Sequence, residues 1–189
     1  MPSKRNIRAG AAVGAGLVGV ARIDAPGVGP VRIAWSADGI ARVDLPHGAP
    51  GDEWEPLDAP QRPLPAAWAD LFKRYFAGED VDPATLPVEL HGTPFQVRVW
   101  TALRQVGRGQ VRTYAGIAAD VGRPRAMRAV GAANGANAVP IVVPCHRVIE
   151  VGSRLGGFSG GLELKKKLLA LEGVRTDGDH VLIGQLELI

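Results

Sequence analysis

The sequence predicts a mixed α/β (α+β) chain, with strand signals in its N-terminal half and helical signals dominating from Thr93 onwards. Three observations predict it. An alternating apolar pattern is split by a turn triplet, apolar residues recur at helical spacing around Trp68 and again after Thr93, and a Pro-containing connection lies between those two helical stretches. At 189 residues and 46% apolar content, the chain is long enough for one sizeable core or two small ones.

The start, MPSKRNIRAGAAVGAGLVGVA, imitates a secretory signal with its basic tip and apolar stretch. It is Gly-rich and has no leucine-dense centre, so residues 1–20 are expected to form a flexible or strand-forming terminus. From Gly29 to Pro46, GPVRIAWSADGIARVDLP alternates on both sides of Ala37-Asp38-Gly39, the pattern of a β-hairpin. A polar, Pro-rich connection follows from His47 to Pro65. Trp68, Leu71, Phe72 and Phe76 then share a helical face that Gly78 ends. A second connection, Glu79 to Gly92, contains Asp82-Pro83 and Leu86-Pro87 and divides the chain into residues 21–90 and 91–173, leaving 174–189 as an extension without an assigned role.

In the second half, Thr93 can cap and Pro94 can open a helix in which Val99, Trp100, Leu103 and Val106 share a face. Thr113 can cap a short helix from Tyr114 to Asp120, and Pro124 is expected to restart helix through to about Ala133. Two short helices joined by a tight Gly-containing turn make a helix-turn-helix pattern, which also occurs in helical corners that bind nothing. The second of these helices carries the small residues Ala126, Ala129, Gly131, Ala132 and Ala133 beside the long Arg128. Small residues let a helix approach a surface closely, whether that surface is its own domain or a partner.

Charge is unevenly distributed. Residues 1–94 carry 9 Lys+Arg against 12 Asp+Glu, a net −3; residues 95–174 carry 12 against 4, a net +8; residues 175–189 carry 1 against 3, a net −2. A basic segment suits a polyanion, because each neutralised phosphate releases counterions, although a solvated face has the same composition. The single cysteine excludes an internal disulfide and implies a reducing compartment, the cytoplasm. His47, His91, His146 and His180 lack metal-ligand spacing, so no metal is expected. No run approaches the roughly 18 apolar residues of a membrane span.

The chemistry concentrates in IVVPCHRV, Ile141 to Val148. A lone cysteine is ordinarily a small buried hydrophobe. Here His146 and Arg147 follow Cys145 and can favour its thiolate, which is the nucleophilic form. Neighbouring side chains in extended chain point apart, so Cys145 and His146 could act together only across a turn or through a water.

The PCHRV segment, Pro144 to Val148, resembles the active-site signature of the O6-alkylguanine-DNA alkyltransferases. TPFQVRVWTAL at 93–103, Arg128-Ala129-Val130-Gly131, Asn137, GGFSGG at 156–161 and LLALEG at 168–173 resemble further family elements in the expected order, from about Ile23 to Gly173. The resemblance implies an N-terminal RNase H-like α/β domain with a small antiparallel sheet. It also implies a helical C-terminal domain with a winged-helix-like helix-turn-helix. It implies an irreversible, single-use transfer of an alkyl group from O6 of guanine, and by extension O4 of thymine, to Cys145 without a cofactor. His146 would act through a water, oriented by Glu172; Tyr114 would donate towards N3 of the departing base; Asn137 would brace the turn that carries the nucleophile. The Ser159 amide would face O6, and the carbonyls of Cys145 and Val148 would read the exocyclic amine. Arg128 would enter the minor groove of double-stranded DNA as the base is rotated out, with Ala126, Ala129 and Gly131 allowing close approach. Lys165 would line the site beside Phe158. The chain would act as a monomer, with cooperation between copies on DNA left open.

Each residue also has a plainer reading. Tyr114 would serve as a core aromatic, Asn137 as a loop Asn bonding its own backbone, Arg128 as a phosphate contact, Glu172 as a solvated carboxylate at a helix end, and Lys165-Lys166-Lys167 as a wet helix face. The sequence departs from the family in having Phe158 where many members have Tyr, and in lacking the N-terminal cysteines that hold zinc in eukaryotic members. Three other functions fit part of the pattern. A non-catalytic damage binder leaves Cys145 unexplained, a regulator leaves Cys145-His146-Arg147 and Glu172 without work, and a Cys-His hydrolase does not need the basic segment.

Overall fold

A computed structural model of the chain describes residues 16–46, 54 and 56–182. Strands β1 (Leu17–Ala25), β2 (Gly29–Ser36) and β3 (Ile40–Asp44) form an antiparallel sheet in that order. The hairpin read from Gly29 to Pro46 is β2–β3, closed by the Ser36 N–H donating to the Gly39 carbonyl at 2.9 Å. Gly39 is required there: its φ is +145°, and a Cβ would stand 2.5 Å from the Pro87 carbonyl carbon. That close approach ties the second connection to the sheet, with Ile40 N–H donating to Pro87 O and Glu89 N–H to Ile40 O, both at 2.9 Å.

β1 revises the expectation for residues 1–20, because the strand begins at Leu17. Val20 pairs with Ala34, and its N–H and carbonyl are also satisfied by Pro60 and Arg62. The glycines around it hid a segment whose pairing comes from the neighbouring strand and loop rather than from its own propensity. Residues 1–15 lie outside the described residues.

Helix α1 (Ala66–Phe76) buries Phe72, Tyr75 and Phe76. It ends as Gly78 predicts: Gly78, at φ +80°, donates to Tyr75 O and Glu79 donates to Arg74 O, the paired bonds of a Schellman stop. Asp82 then caps a one-turn 3-10 helix, Pro83–Thr85, by accepting from the Ala84 N–H. Helix α2 (Pro94–Leu103) opens with a full capping box between Thr93 and Gln96, a cap stabilising by about 1 kcal/mol. Trp100 Nε1 donates to Ala133 O at 2.8 Å, docking α2 on a later helix.

Short strand β4 (Arg112–Thr113) leads into α3 (Tyr114–Asp120), capped by Thr113 as read from the sequence. Helix α4 is Met127–Gly135, so the expectation that Pro124 restarts helix fails by three residues. Pro124 instead occupies the second position of a β-turn closed by Ala126 N–H to Arg123 O at 2.8 Å. A turn and a helix start need the same proline φ, and local sequence does not separate them. Strand β5 (Val148–Ile149) pairs in parallel with β4, and α5 spans Leu162–Leu171. The described part of the extension left without a role forms a hairpin, β6 (Thr176–Asp177) with β7 (His180–Val181), and residues 183–189 lie outside the described residues. Val174 and Val181 join Val111, Ile149, Leu155 and Leu169 in a small second core.

The main core runs without a break from Val31, Ile33 and Ile40 of the sheet, through Phe72 and Tyr75, to Val99, Leu103, Val130 and Leu168 of the helices. Cys145 is part of it. Among the described residues the structure is a mixed α/β fold, a small three-stranded antiparallel sheet and two two-stranded pairs with five α-helices.

Candidate active site

Cys145 opens a one-turn 3-10 helix, Cys145–Arg147, directly after Pro144. The approach to it is braced. Asn137 Nδ2 donates to Val143 O at 2.8 Å, and its Oδ1 accepts the Val139 N–H at 3.0 Å. Val143 N–H donates to Val139 O and Cys145 N–H to Val143 O, both at 2.8 Å. Within this turn the fully buried Ile141 has φ +75°, a left-handed conformation that costs a β-branched residue about 1–3 kcal/mol and persists only because its surroundings impose it.

The 3-10 turn sends Cys145, His146 and Arg147 in different directions, although all three are buried. His146 Nε2 lies 2.9 Å from Glu172 Oε1. An ionised carboxylate only accepts, so Nε2 carries a proton towards it, and in a neutral ring Nδ1 is the acceptor. Nδ1 is buried and has no hydrogen-bond partner among the described residues. Arg147 closes the other side of Glu172, its Nε donating to Oε2 at 2.8 Å and its Nη2 to Oε1 at 2.9 Å. The same guanidinium reaches Asp82 through two bonds of 2.9 Å and the Val106 carbonyl at 2.6 Å. Tyr75 of α1 donates its hydroxyl to Glu172 Oε1 at 2.7 Å.

These contacts set the charge states. Burial alone would push the Glu172 carboxyl up, but His146 and Arg147 outweigh it and hold the group well below the usual carboxylate range. Burial disfavours the Arg147 cation; Glu172 and Asp82 overturn that and keep it charged. The Cys145 thiol is pushed up by burial, only partly offset by Asn137 and by the Lys165 cation. At neutral pH the sulfur therefore needs a base. Burial brings Lys165 down to about 8, against the opposing pull of Cys145 and Glu150.

Lys165 is not part of a wet helix face. It is fully buried and donates to Val148 O at 2.6 Å and to Leu155 O, whereas Lys166 reaches outward to Glu163 and Asp179. The Val148 carbonyl thus already has one donor, with a second lone pair to offer. Phe158 packs against the core at its edge, and Ser159 is exposed at the start of the turn before α5. Tyr114 is half-buried at the start of α3. Its hydroxyl is raised first by burial and then by the nearby Cys145 and Glu150, with Asn134 acting in the opposite sense. Its ring lines an open groove with Ala115, Met127, Arg128, Gly131, Glu150 and Val151. Arg128 and Ala129 face solvent on the first turn of α4, and Ala126 is its N-cap residue.

The structure therefore gathers Cys145, His146, Glu172, Asn137, Lys165 and Val148 in the interior, and places Tyr114, Arg128 and Gly131 on the adjoining groove. Sequence reasoning missed Tyr75 and Asp82. The signals were a hydroxyl within the apolar face of α1 and an Asp-Pro cap in a connection read only as a linker. It also overcounted free cations: of the 12 in residues 95–174, Arg104, Arg108, Arg112, Arg147, Lys165 and Lys166 are committed to carbonyls or carboxylates of this chain. Among the described residues no group of three His, Cys, Asp or Glu could hold a metal ion, and no helix is long and apolar enough to cross a membrane.

A buried thiol, followed in the chain by a histidine paired with a carboxylate, has the parts of a nucleophilic cysteine site. Comparison with known proteins agrees. The family model described as the DNA-binding domain of 6-O-methylguanine DNA methyltransferase matches residues 94–174. A methylated-DNA–protein-cysteine methyltransferase of Mycobacterium tuberculosis is 39% identical over 163 residues, spanning 85% of this chain and 95% of the relative. The enzyme of the same name from Salmonella typhimurium is 51% identical over 109 residues, 58% of this chain and 64% of the relative. The crystal structure of the Mycobacterium tuberculosis protein in complex with DNA superposes with a TM-score of 0.70 at 38% identity, covering 82% of this chain and 92% of that one. The chain belongs to the methylated-DNA–protein-cysteine methyltransferase family.

Proposed function

We propose that this chain repairs alkylated DNA by direct reversal, taking the alkyl group from O6 of guanine, and from O4 of thymine, irreversibly onto Cys145. The observation that carries the reading is the chain's single thiol, buried beside a histidine whose one nitrogen is fixed by Glu172 while the other is open to accept a proton. That is the arrangement of an activated nucleophile with a base and an orienting group.

His146 Nδ1 draws the thiol proton through a bridging water. The sulfur lone pair forms the S–C bond as the C–O6 bond breaks in line, and the electron pair leaves with O6. Tyr114 eases departure by giving its proton to N3, so the base leaves as neutral guanine; the proton that His146 took from the thiol returns through water to the Tyr114 oxygen, and no cofactor or co-reactant is consumed. Raised hydroxyl and thiol values support these roles, since both groups hold their protons at neutral pH until the reaction needs them moved. Asn137 keeps the nucleophile's turn in place. Lys165 holds the Val148 carbonyl towards the base beside Phe158, and the Ser159 amide faces O6.

The target lies inside a duplex, so the nucleotide must be rotated out at a cost of a few kcal/mol. Arg128 takes its place from the minor groove, with Ala126, Ala129 and Gly131 allowing α4 to approach closely. The exposure of Arg128 at the edge of the Tyr114 groove supports this. The N-terminal sheet and α1 form an RNase H-like domain, and α3, α4 and the segments after them form a winged-helix-like unit. The chain acts as a monomer in a reducing cytoplasm that keeps its thiol free.

The test is duplex DNA with radiolabelled O6-methylguanine, followed by peptide mass spectrometry. One methyl per chain on Cys145 is expected, and none on Cys145→Ala, which should still bind the lesion. A wild-type chain that binds the lesion and stays unlabelled would move the reading to a non-catalytic damage binder.

A further inference from the structure

The basic segment 95–174 has four acidic side chains, and three are committed: Asp120 to Arg112, Glu163 to Lys166, and Glu172 to His146 and Arg147. Glu150 is the exception. It is exposed and makes no ion pair among the described residues, yet it stands on the groove that also holds Tyr114 and Arg128. Its backbone is fixed: Glu150 N–H donates to Arg154 O at 2.8 Å across a tight turn in which Gly152 and Ser153 both have positive φ, 81° and 66°. Its side chain is also directed. A Cβ on Gly156 would meet Glu150 Cγ at 3.2 Å, Glu150 Oε1 at 3.4 Å and Tyr114 Cε2 at 3.3 Å, so carboxylate and phenol ring flank the same glycine. Its charge reaches Tyr114 and Lys165, the same two groups that the Cys145 charge reaches.

A bare carboxylate on a surface meant for a polyanion weakens general DNA attraction, so its place needs another account. We propose that Glu150 is a specificity-determining residue that disfavours alkyl adducts bearing negative charge and lets neutral or cationic ones pass to Cys145. This rests on reading the Tyr114 groove as the entry for the rotated base. A methyl group adds no charge there, whereas a carboxymethyl group brings a second carboxylate towards the first. The repulsion acts across an open groove, where added salt screens it.

The test is single-turnover transfer from duplexes carrying O6-methylguanine or O6-carboxymethylguanine, by the wild-type chain and by Glu150→Gln, with Glu163→Gln as a change of equal charge away from the groove. The expected result is a ratio of carboxymethyl to methyl rates that rises about tenfold in Glu150→Gln, shrinks as salt is added, and does not move in Glu163→Gln. Equal acceleration of both adducts would overturn the proposal, because Glu150 would then only repel the DNA backbone; an unchanged ratio would overturn it too. Wild-type chain that methylates itself but shows either outcome loses this inference alone. Wild-type chain that accepts no methyl loses the function beneath it.

Discussion

Around Glu172 both carboxylate oxygens are buried and occupied, by Tyr75, His146 and Arg147. Along the groove, Arg128 and Glu150 stand exposed with no ion pair among the described residues. The interior is finished before any ligand arrives, whereas the groove is left for a ligand to complete. Such a division suits a reaction in which the reacting groups must already be oriented while the substrate has to be drawn out of another structure.

The contrast breaks most visibly at Glu172. In Glu172→Gln the buried Arg147 and His146 lose their shared charge partner, and unfolding free energy in urea should fall by about 3–5 kcal/mol, with transfer slowed and DNA binding kept. The pH dependence has a definite sign. The folded carboxyl is held below its ordinary value of 4.5, so the wild-type advantage over Glu172→Gln should be complete above that pH and shrink as pH falls below it. An advantage independent of pH, or an unchanged transfer rate, would remove Glu172 from the proposed catalytic set.

Arg128→Ala sharpens the other side. Repair in duplex DNA should drop about 100-fold, while reaction with free O6-benzylguanine, which needs no base rotation, should change little. Stability should stay within about 0.5 kcal/mol, as expected of an exposed side chain. Equal losses on both substrates would contradict the finger role. The smallest effect belongs to Tyr75→Phe, which removes one donor from Glu172 and keeps the ring. Stability should fall by about 1–2 kcal/mol and transfer should slow, without loss of DNA affinity. Unchanged stability and rate would mean that α1 does not brace the carboxylate.

Legibility in the sequence followed the range of the interactions. Thr93-Pro94 with Gln96, Thr113 before α3, the β2–β3 turn and the Gly78 stop are local devices, and each was readable from a few adjacent residues. Cys145 and His146 were readable as a candidate nucleophile and its neighbour from their adjacency, whereas Glu172 was readable only through the family resemblance. Tyr75 and Asp82 were not, since their partners lie 97 and 65 residues away, and a hydroxyl in an apolar helix face or an Asp-Pro cap does not say which partner it meets. Lys165 was singled out by the resemblance but not by composition: three consecutive lysines look alike in sequence, while one helix turn buries the first and exposes the third. Pro124 misled because a turn and a helix start ask the same thing of a proline.

The distance between Tyr75, Asp82 and their partners also bears on how the chain comes to be competent. The bonds from Tyr75 and Asp82 to Glu172 and Arg147 form only when α1 and the connection behind it lie against the second half, so the full bracing of the orienting carboxylate draws on both halves of the chain. A fragment lacking the first half would carry the cysteine, the histidine and the carboxylate but not the two contacts that hold the carboxylate and Arg147 from outside. For a protein whose thiol is spent once, the first half thus serves the reaction without supplying a reacting atom.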